Sequence, residues 1–151
     1  MMSKLNTACF VIRTIQAIMS PETLRMVYFV YIHSILSYGI ILGGNQPYSD
    51  KIFKIQKRVI RIITSSRMRD SCRELFKKLE LLSLYSQYIV SISIFVIKNK
   101  HLFYTNNQIH NIHTRLQTNL HPPTANLTKF QKAVYYTAIK FLTTFLTIPK
   151  T

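Results

Sequence analysis

Carboxylates are scarce in this chain: five Asp and Glu stand against twenty Lys and Arg in 151 residues, a formal net charge of +15. The five (Glu22, Asp50, Asp70, Glu74 and Glu80) are well spread, and no two have the spacing needed for general acid–base work or for holding a pair of metal ions. Cysteine is nearly as rare. Cys9 and Cys72 lie far apart without a C-x-x-C, which excludes a zinc ribbon and a disulfide scaffold and fits a reducing compartment, nucleus or cytoplasm. Three Gly and five Pro exclude collagen-like and low-complexity chains. No Gly-rich phosphate loop, nucleophile elbow or Cys/His pairing is present, and the first residues carry no secretory signal. What is abundant is apolar residues, 48% of the chain with nine Tyr and nine Phe, enough for a packed core and too many for disorder.

The pattern is helical. Leu5, Ala8, Cys9, Ile12, Ile15 and Met19 recur at helical spacing with no residue capping their start, so the natural beginning of this helix is expected upstream of Met1. Ser20-Pro21-Glu22 restarts a helix: Ser caps, Pro suits the first position, and Glu complements the positive end of the dipole. From Leu24 to Leu42 nearly every residue is apolar, which describes either a central core helix or a short membrane span. His33 near its middle favours the core helix, because a polar group there is costly in lipid. Gly43 and Gly44, followed by Pro47, end it in a turn.

Ser49 and Asp50 open the most informative segment. At about 100° per residue, Ile52, Ile55, Val59, Ile62 and Ile63 gather on one side, with Phe53 and Ile60 at its margin. Lys51, Lys54, Lys57, Arg58 and Arg61 share an opposite arc of about 120°. Arg67 and Arg69 come next in a loop, and Arg73, Lys77 and Lys78 on a short helix whose start, Ser71 to Glu74, reads as a capping box. These ten cations are half of the chain's twenty, accompanied only by Asp70 and Glu74. Nothing acidic is available to neutralise them, so the stripe repels itself unless an anion lies alongside. Duplex nucleic acid, with a phosphate about every 1.7 Å of axis, matches it in charge and spacing. Tyr48, Tyr85 and Tyr88 are placed for stacking on bases, but each suits an aromatic core better.

A further helix is expected from Leu84 to Lys98, with a strand as the alternative because of the β-branched run Ile89 to Ile97, then an irregular connection rich in His, Asn and Thr over 104–126, and a last helix over Leu127–Ile148. His110 and His113 form an H-x-x-H in the connection with no acid or cysteine nearby, too few ligands for zinc, and no metal site is expected. The organisation is thus a mostly α, small helical bundle over 1–103, a linker, and a C-terminal segment over 127–151.

Six runs carry a resemblance: Leu5-Asn6-Thr7-Ala8-Cys9-Phe10, Tyr38-Gly39-Ile40-Ile41-Leu42-Gly43-Gly44-Asn45, Gln56-Lys57-Arg58-Val59-Ile60-Arg61-Ile62-Ile63, Arg69-Asp70-Ser71-Cys72-Arg73-Glu74-Leu75-Phe76, Ile109-His110-Asn111-Ile112-His113-Thr114-Arg115 and Asn126-Leu127-Thr128-Lys129-Phe130-Gln131-Lys132. In order and spacing they resemble the C-terminal region of reverse transcriptases of jockey-type non-LTR retrotransposons, from Lys4 to about Lys140. The resemblance implies a helical thumb and the region C-terminal to it, in RNA-directed DNA polymerases whose thumb grips the template–primer duplex by its backbone. The family's hydrophobic-Asp-Asp catalytic box and its fingers have no counterpart here, so the resemblance implies a truncated copy without polymerase activity. Any Mg²⁺ would belong to the missing palm, which would also be the missing partner of an exposed apolar face otherwise open to self-association.

The chain also departs from that family. Gly43 stands where Trp is usual, Ser83 where Pro is common, and Ala133 and Ala138 at usual Gly positions. Phe141-Leu142-Thr143-Thr144-Phe145-Leu146 replaces a pattern like Ile-Phe-Asn-Asn-Leu-Pro, as a one-base shift of reading frame near Lys140 would produce. Residues 141–151 are then accidental sequence, and the copy reads as decayed. The expectation is a catalytically inactive fragment with non-specific affinity for RNA or DNA backbone. The alternative is a small basic membrane protein that spans with Leu24 to Leu42 and uses Lys51 to Arg61 as a juxtamembrane anchor to anionic lipid.

Overall fold

A computed structural model describes residues 2–44, 47–111, 115 and 117–146. It is mostly α-helical, and among the described residues the sole β-type pairing is an isolated antiparallel bridge between Thr105 and Leu120. The chain divides into two compact units, Met1–Tyr88 and Ile89–Thr151, a division that falls inside a helix.

The first unit holds α1 (Met2–Ile15), α2 (Pro21–Val27), a π-helical stretch (Tyr28–His33), α3 (Ser34–Gly43), α4 (Ser49–Ile63), α5 (Cys72–Lys78) and the first turn of α6 (Leu84–Lys98). Ser20 caps α2 as its sequence implies, its Oγ accepting the Thr23 N–H at 3.3 Å with Pro21 in the first turn. Helices α2 and α3 are continuous through the π stretch and bury one stripe, Leu24, Tyr28, Ile32, Leu36 and Ile40, spaced four residues apart. In a straight α-helix each such step overshoots a full turn by about 40°, so the stripe would wind around the helix. The wider i→i+5 turn at Tyr28–His33 takes up more residues per turn and rolls the stripe back onto the core.

This long helix departs from the core helix expected of it. Only 28% of its most apolar window is buried, although Pro21–Leu42 is long and apolar enough by composition to cross a membrane. Met26, Val30, Tyr38 and Leu42 form an open side opposite the buried stripe, with Ser34 among them. The helix also continues through Gly43, and Gly44 caps it in ordinary right-handed geometry, φ −67°. Glycine is needed at 44 for space: a Cβ there would lie 2.2 Å from Cδ2 of Tyr88 and 2.7 Å from the Ile40 carbonyl.

α4 is the hub of the unit. α1 packs along it through Leu5, Ala8, Cys9 and Ile12, and α5 adjoins it through Cys72 and Phe76. Arg25 ties α2 to the end of α5, its Nε donating to the Leu79 carbonyl at 2.7 Å and its Nη2 to Glu80 at 3.0 Å. The capping box expected at Ser71 is not formed. Ser71 is extended as a cap requires, but its side chain makes no cap hydrogen bond, and Glu74 instead takes Lys77 at 3.3 Å.

The second unit contains the rest of α6, a 3₁₀ turn (Lys100–Leu102), α7 (Asn106–His110), α8 (Thr128–Gln131) and α9 (Val134–Leu146). Phe103 is its aromatic centre, stacked on Tyr135 at 4.6 Å and 3° and meeting Phe95 edge-on. Two expectations are corrected here. The connection 104–126 contains a helical turn, α7, at whose start the Thr105 N–H donates to the Gln108 side chain at 2.8 Å. The single C-terminal helix is two, broken at 132–133. His113 and residues 147–151 lie outside the described residues.

Candidate nucleic-acid interface

α4 forms for reasons visible in its residues: Asp50 in the first turn and Arg61 in the last both complement the dipole, and the apolar positions keep a helical period. Ile52, Ile55, Val59, Ile62 and Ile63 are buried as their angular positions predict. Ile60, expected at the margin, is fully buried. One turn before it on the same flank, Gln56 holds the 82–84 segment over the helix, accepting the Leu84 N–H at 2.9 Å and donating to the Leu82 carbonyl at 3.0 Å.

On the opposite side the five cations are not equivalent. Lys51, Lys54 and Arg58 are exposed. Lys57 is half-buried, its Nζ 4.7 Å from the centre of the Phe53 ring in a cation–π contact. Arg61 is also half-buried and donates from Nη2 to the Asp70 carbonyl at 3.1 Å, while its Nε is buried without a hydrogen-bond partner.

Lys54, Lys57, Arg58 and Arg61 line one cleft of about 560 Å³, and Arg13 from α1 joins them. The two helices reach this cleft with their C-terminal ends side by side, where the Gln16 amide donates to the Ser65 hydroxyl at 3.1 Å. A second cleft of about 780 Å³ is lined by Lys57, Arg73 and Lys77 together with Phe53, Phe76 and Glu80. Lys51, Arg67, Arg69 and Lys78 are exposed and line neither. The ten cations therefore separate into a stripe with its cleft, a weaker neighbouring cleft, and scattered surface charge.

Asp50 lies on the same arc of α4, one turn before Lys54, but among the described residues no carboxylate comes within ion-pair distance of a stripe cation. Asp50 accepts the Tyr85 hydroxyl, a bond that raises the Tyr85 pKa above its usual value. Asp70 accepts the Arg67 N–H at 2.8 Å, and Glu74 and Glu80 pair with Lys77 and Arg25. Glu22 stays at the start of α2, its carboxyl held below the usual range by its own backbone N–H and by Ser20. Among the described residues none of the five stripe cations has an ion-pair partner, and no cluster of three His, Cys, Asp or Glu could hold a metal. Of the three tyrosines considered for stacking only Tyr88 is a core residue, buried against Gly44; Tyr48 is exposed, and so is Tyr85, whose hydroxyl is bonded to Asp50.

Sequence reasoning missed Arg13. It lies next to Ile12 and one turn beyond Cys9, at the border of the stripe α1 buries, but nothing in the sequence says that α4 is the helix against that border. Gln56 was missed as well, although its angle places it opposite the cations, on the Ile60 flank of the apolar face. No family model, curated protein or solved structure matches this chain.

Proposed function

We propose that this chain binds the phosphate backbone of RNA or DNA, without reading its sequence, through the cationic face of α4. We propose further that it is a reverse-transcriptase thumb fragment without polymerase activity, a reading that rests on the sequence resemblance. The observation that carries the binding reading is the unneutralised stripe: five cations on one helical face, none paired with a carboxylate. Exposed Lys51, Lys54 and Arg58 are free to meet successive phosphates, contacts that position a strand without specifying it.

The test is the salt dependence of oligonucleotide binding, measured by fluorescence anisotropy. Each lost phosphate contact removes about 0.9 from the log–log slope on duplex DNA. Lys51, Lys54 and Arg58 replaced together by Gln should flatten that slope by about two to three, whereas Gln at Lys98, Lys100 and Lys129 removes equal charge and should flatten it little. Equal losses would leave only bulk charge at work. In the same preparation, primer extension with Mg²⁺ or Mn²⁺ should be absent, and extension surviving a check for contaminating polymerase would end the fragment reading.

The membrane alternative is less favoured. The long apolar helix commits the stripe Leu24, Tyr28, Ile32, Leu36 and Ile40 to the bundle, Ser37 on its flank accepts the Gln87 amide at 2.7 Å, and its open side carries Ser34. Carbonate extraction of the expressed chain separates the two: a soluble chain supports the bundle, a chain retained in the membrane pellet the span.

A further inference from the structure

The stripe on α4 is convex, but the site where Arg13 meets it is not, and the difference has chemical consequences. We propose that the cleft formed by Arg13, Lys54, Lys57, Arg58 and Arg61 is a seat for a phosphate group of more than one negative charge: a phosphate monoester at a strand end, or a free oligophosphate. The inference deepens the backbone-binding reading by naming the group that one part of the surface prefers.

Three observations carry it. First, five cations from two helices converge on one concavity of about 560 Å³ with no carboxylate lining it, a volume in the range of small-ligand sites. Low-dielectric walls concentrate the field of such a cluster, so a compact dianion gains more there than along an open face. Second, the neighbouring helix ends do not account for the charge. Arg13 and Arg61 lie in the last turns of α1 and α4 and do complement the dipoles. That effect fades within the last turn, and Lys54, Lys57 and Arg58 lie before it, so three cations remain without an ion-pair partner among the described residues. Third, the Arg61 guanidinium in the cleft wall spends Nη2 on the Asp70 carbonyl and leaves its buried Nε unbonded, so no group of the protein neutralises this charge.

An internal phosphodiester carries one negative charge and a terminal phosphate about 1.5 to 2 at pH 7. The cleft therefore distinguishes strand ends from strand interiors, while the exposed α4 face does not.

The experiment compares, on the full chain, one single-stranded oligonucleotide with a 5′-phosphate, a 3′-phosphate or only hydroxyl ends, and adds tripolyphosphate as a free competitor and in a thermal melt. We expect at least one phosphorylated end to bind about tenfold tighter than the hydroxyl form, the gain of one charge-assisted contact. Arg13→Gln should erase that preference and Arg13→Lys restore part of it. Lys51→Gln, outside the cleft, should weaken all forms alike and keep the preference. Tripolyphosphate should raise the melting temperature of the parent and not of Arg13→Gln. Equal binding of all three ends, unchanged by Arg13→Gln, overturns the cleft and leaves backbone binding standing. Stabilisation by tripolyphosphate with no oligonucleotide binding makes the cleft a free-anion site and overturns the nucleic-acid reading alone. Failure of both ligands overturns both.

Discussion

Gln56 and Tyr28 meet in the core of the first unit, the Gln56 amide donating to the Tyr28 hydroxyl at 2.8 Å. Both side chains are almost wholly enclosed, and the same Gln56 also satisfies the Leu82 carbonyl and the Leu84 N–H. One polar residue on the apolar face of the cationic helix thereby joins the long helix, α4 and the start of α6. Replacing it by Leu strands the buried Leu84 N–H, at about 1–3 kcal/mol, and takes the donor from the part-buried Leu82 carbonyl and the buried Tyr28 hydroxyl. Gln56→Leu should lose about 2–4 kcal/mol in urea unfolding, and Tyr28→Phe, which leaves the two backbone bonds intact, only about 1 kcal/mol. Equal losses would place the importance of the node in its packing instead.

The same pair makes a statement about pH. Burial pushes the Tyr28 phenol above its usual value, an effect only partly offset by the bond to Gln56. A group whose folded pKa is raised contributes stability that is fully present below its unfolded pKa, near 10, and lost as pH rises through the folded value. Stability should therefore decline above about pH 10, and Tyr28→Phe should remove part of that decline. Denaturant midpoints measured from pH 8 to 11 on both chains check this, and parallel curves would exclude Tyr28 as a cause.

Gly44 and Tyr88 predict a steric coupling. A methyl group at 44 would overlap the Tyr88 ring, so Gly44→Ala should destabilise by about 1–3 kcal/mol as an overpacking change. Tyr88→Leu removes the obstructing ring at a cost of its own. In the double variant the penalty of Gly44→Ala should shrink, giving a favourable coupling energy in a double-mutant cycle. Strict additivity would mean that the Ile40 carbonyl, and not the ring, sets the space.

The open side of the long helix predicts association. Val30, Tyr38 and Leu42 are 75%, 95% and 77% exposed along one line, a row of large apolar side chains open to a partner. The parent chain should self-associate at micromolar concentration in sedimentation velocity. Val30→Asn with Leu42→Asn should shift it toward monomer with unchanged helical circular dichroism. A parent that stays monomeric through the accessible range removes this surface as an interface.

The helices themselves were legible in the sequence because each depends on local chemistry. Ser20-Pro21-Glu22 starts a helix wherever it stands, and the phase of Ile52, Ile55, Val59 and Ile63 against Lys51, Lys54 and Arg58 assigns the two faces of α4 before any partner is known. Capping was less readable. Ser71 and Glu74 have the right spacing, but an exposed Glu can exchange the cap for a nearby Lys77 at little cost, and it does.

What the chain alone determined is its all-α character, the cationic stripe and the shortage of acids to neutralise it, since composition and period are properties of a linear string. What only the tertiary structure decided is which surfaces meet. The run from Leu24 to Leu42 reads as greasy all round, yet only the side facing α1 and α4 is buried, and a π turn keeps that side in register. Gly44 looks like a turn glycine and is a packing glycine. Arg13 looks like an ordinary surface charge and completes a five-cation cleft, because helix packing brings together residues more than forty positions apart. Pairings of that kind depend on the shape of the filled core, which no local period encodes.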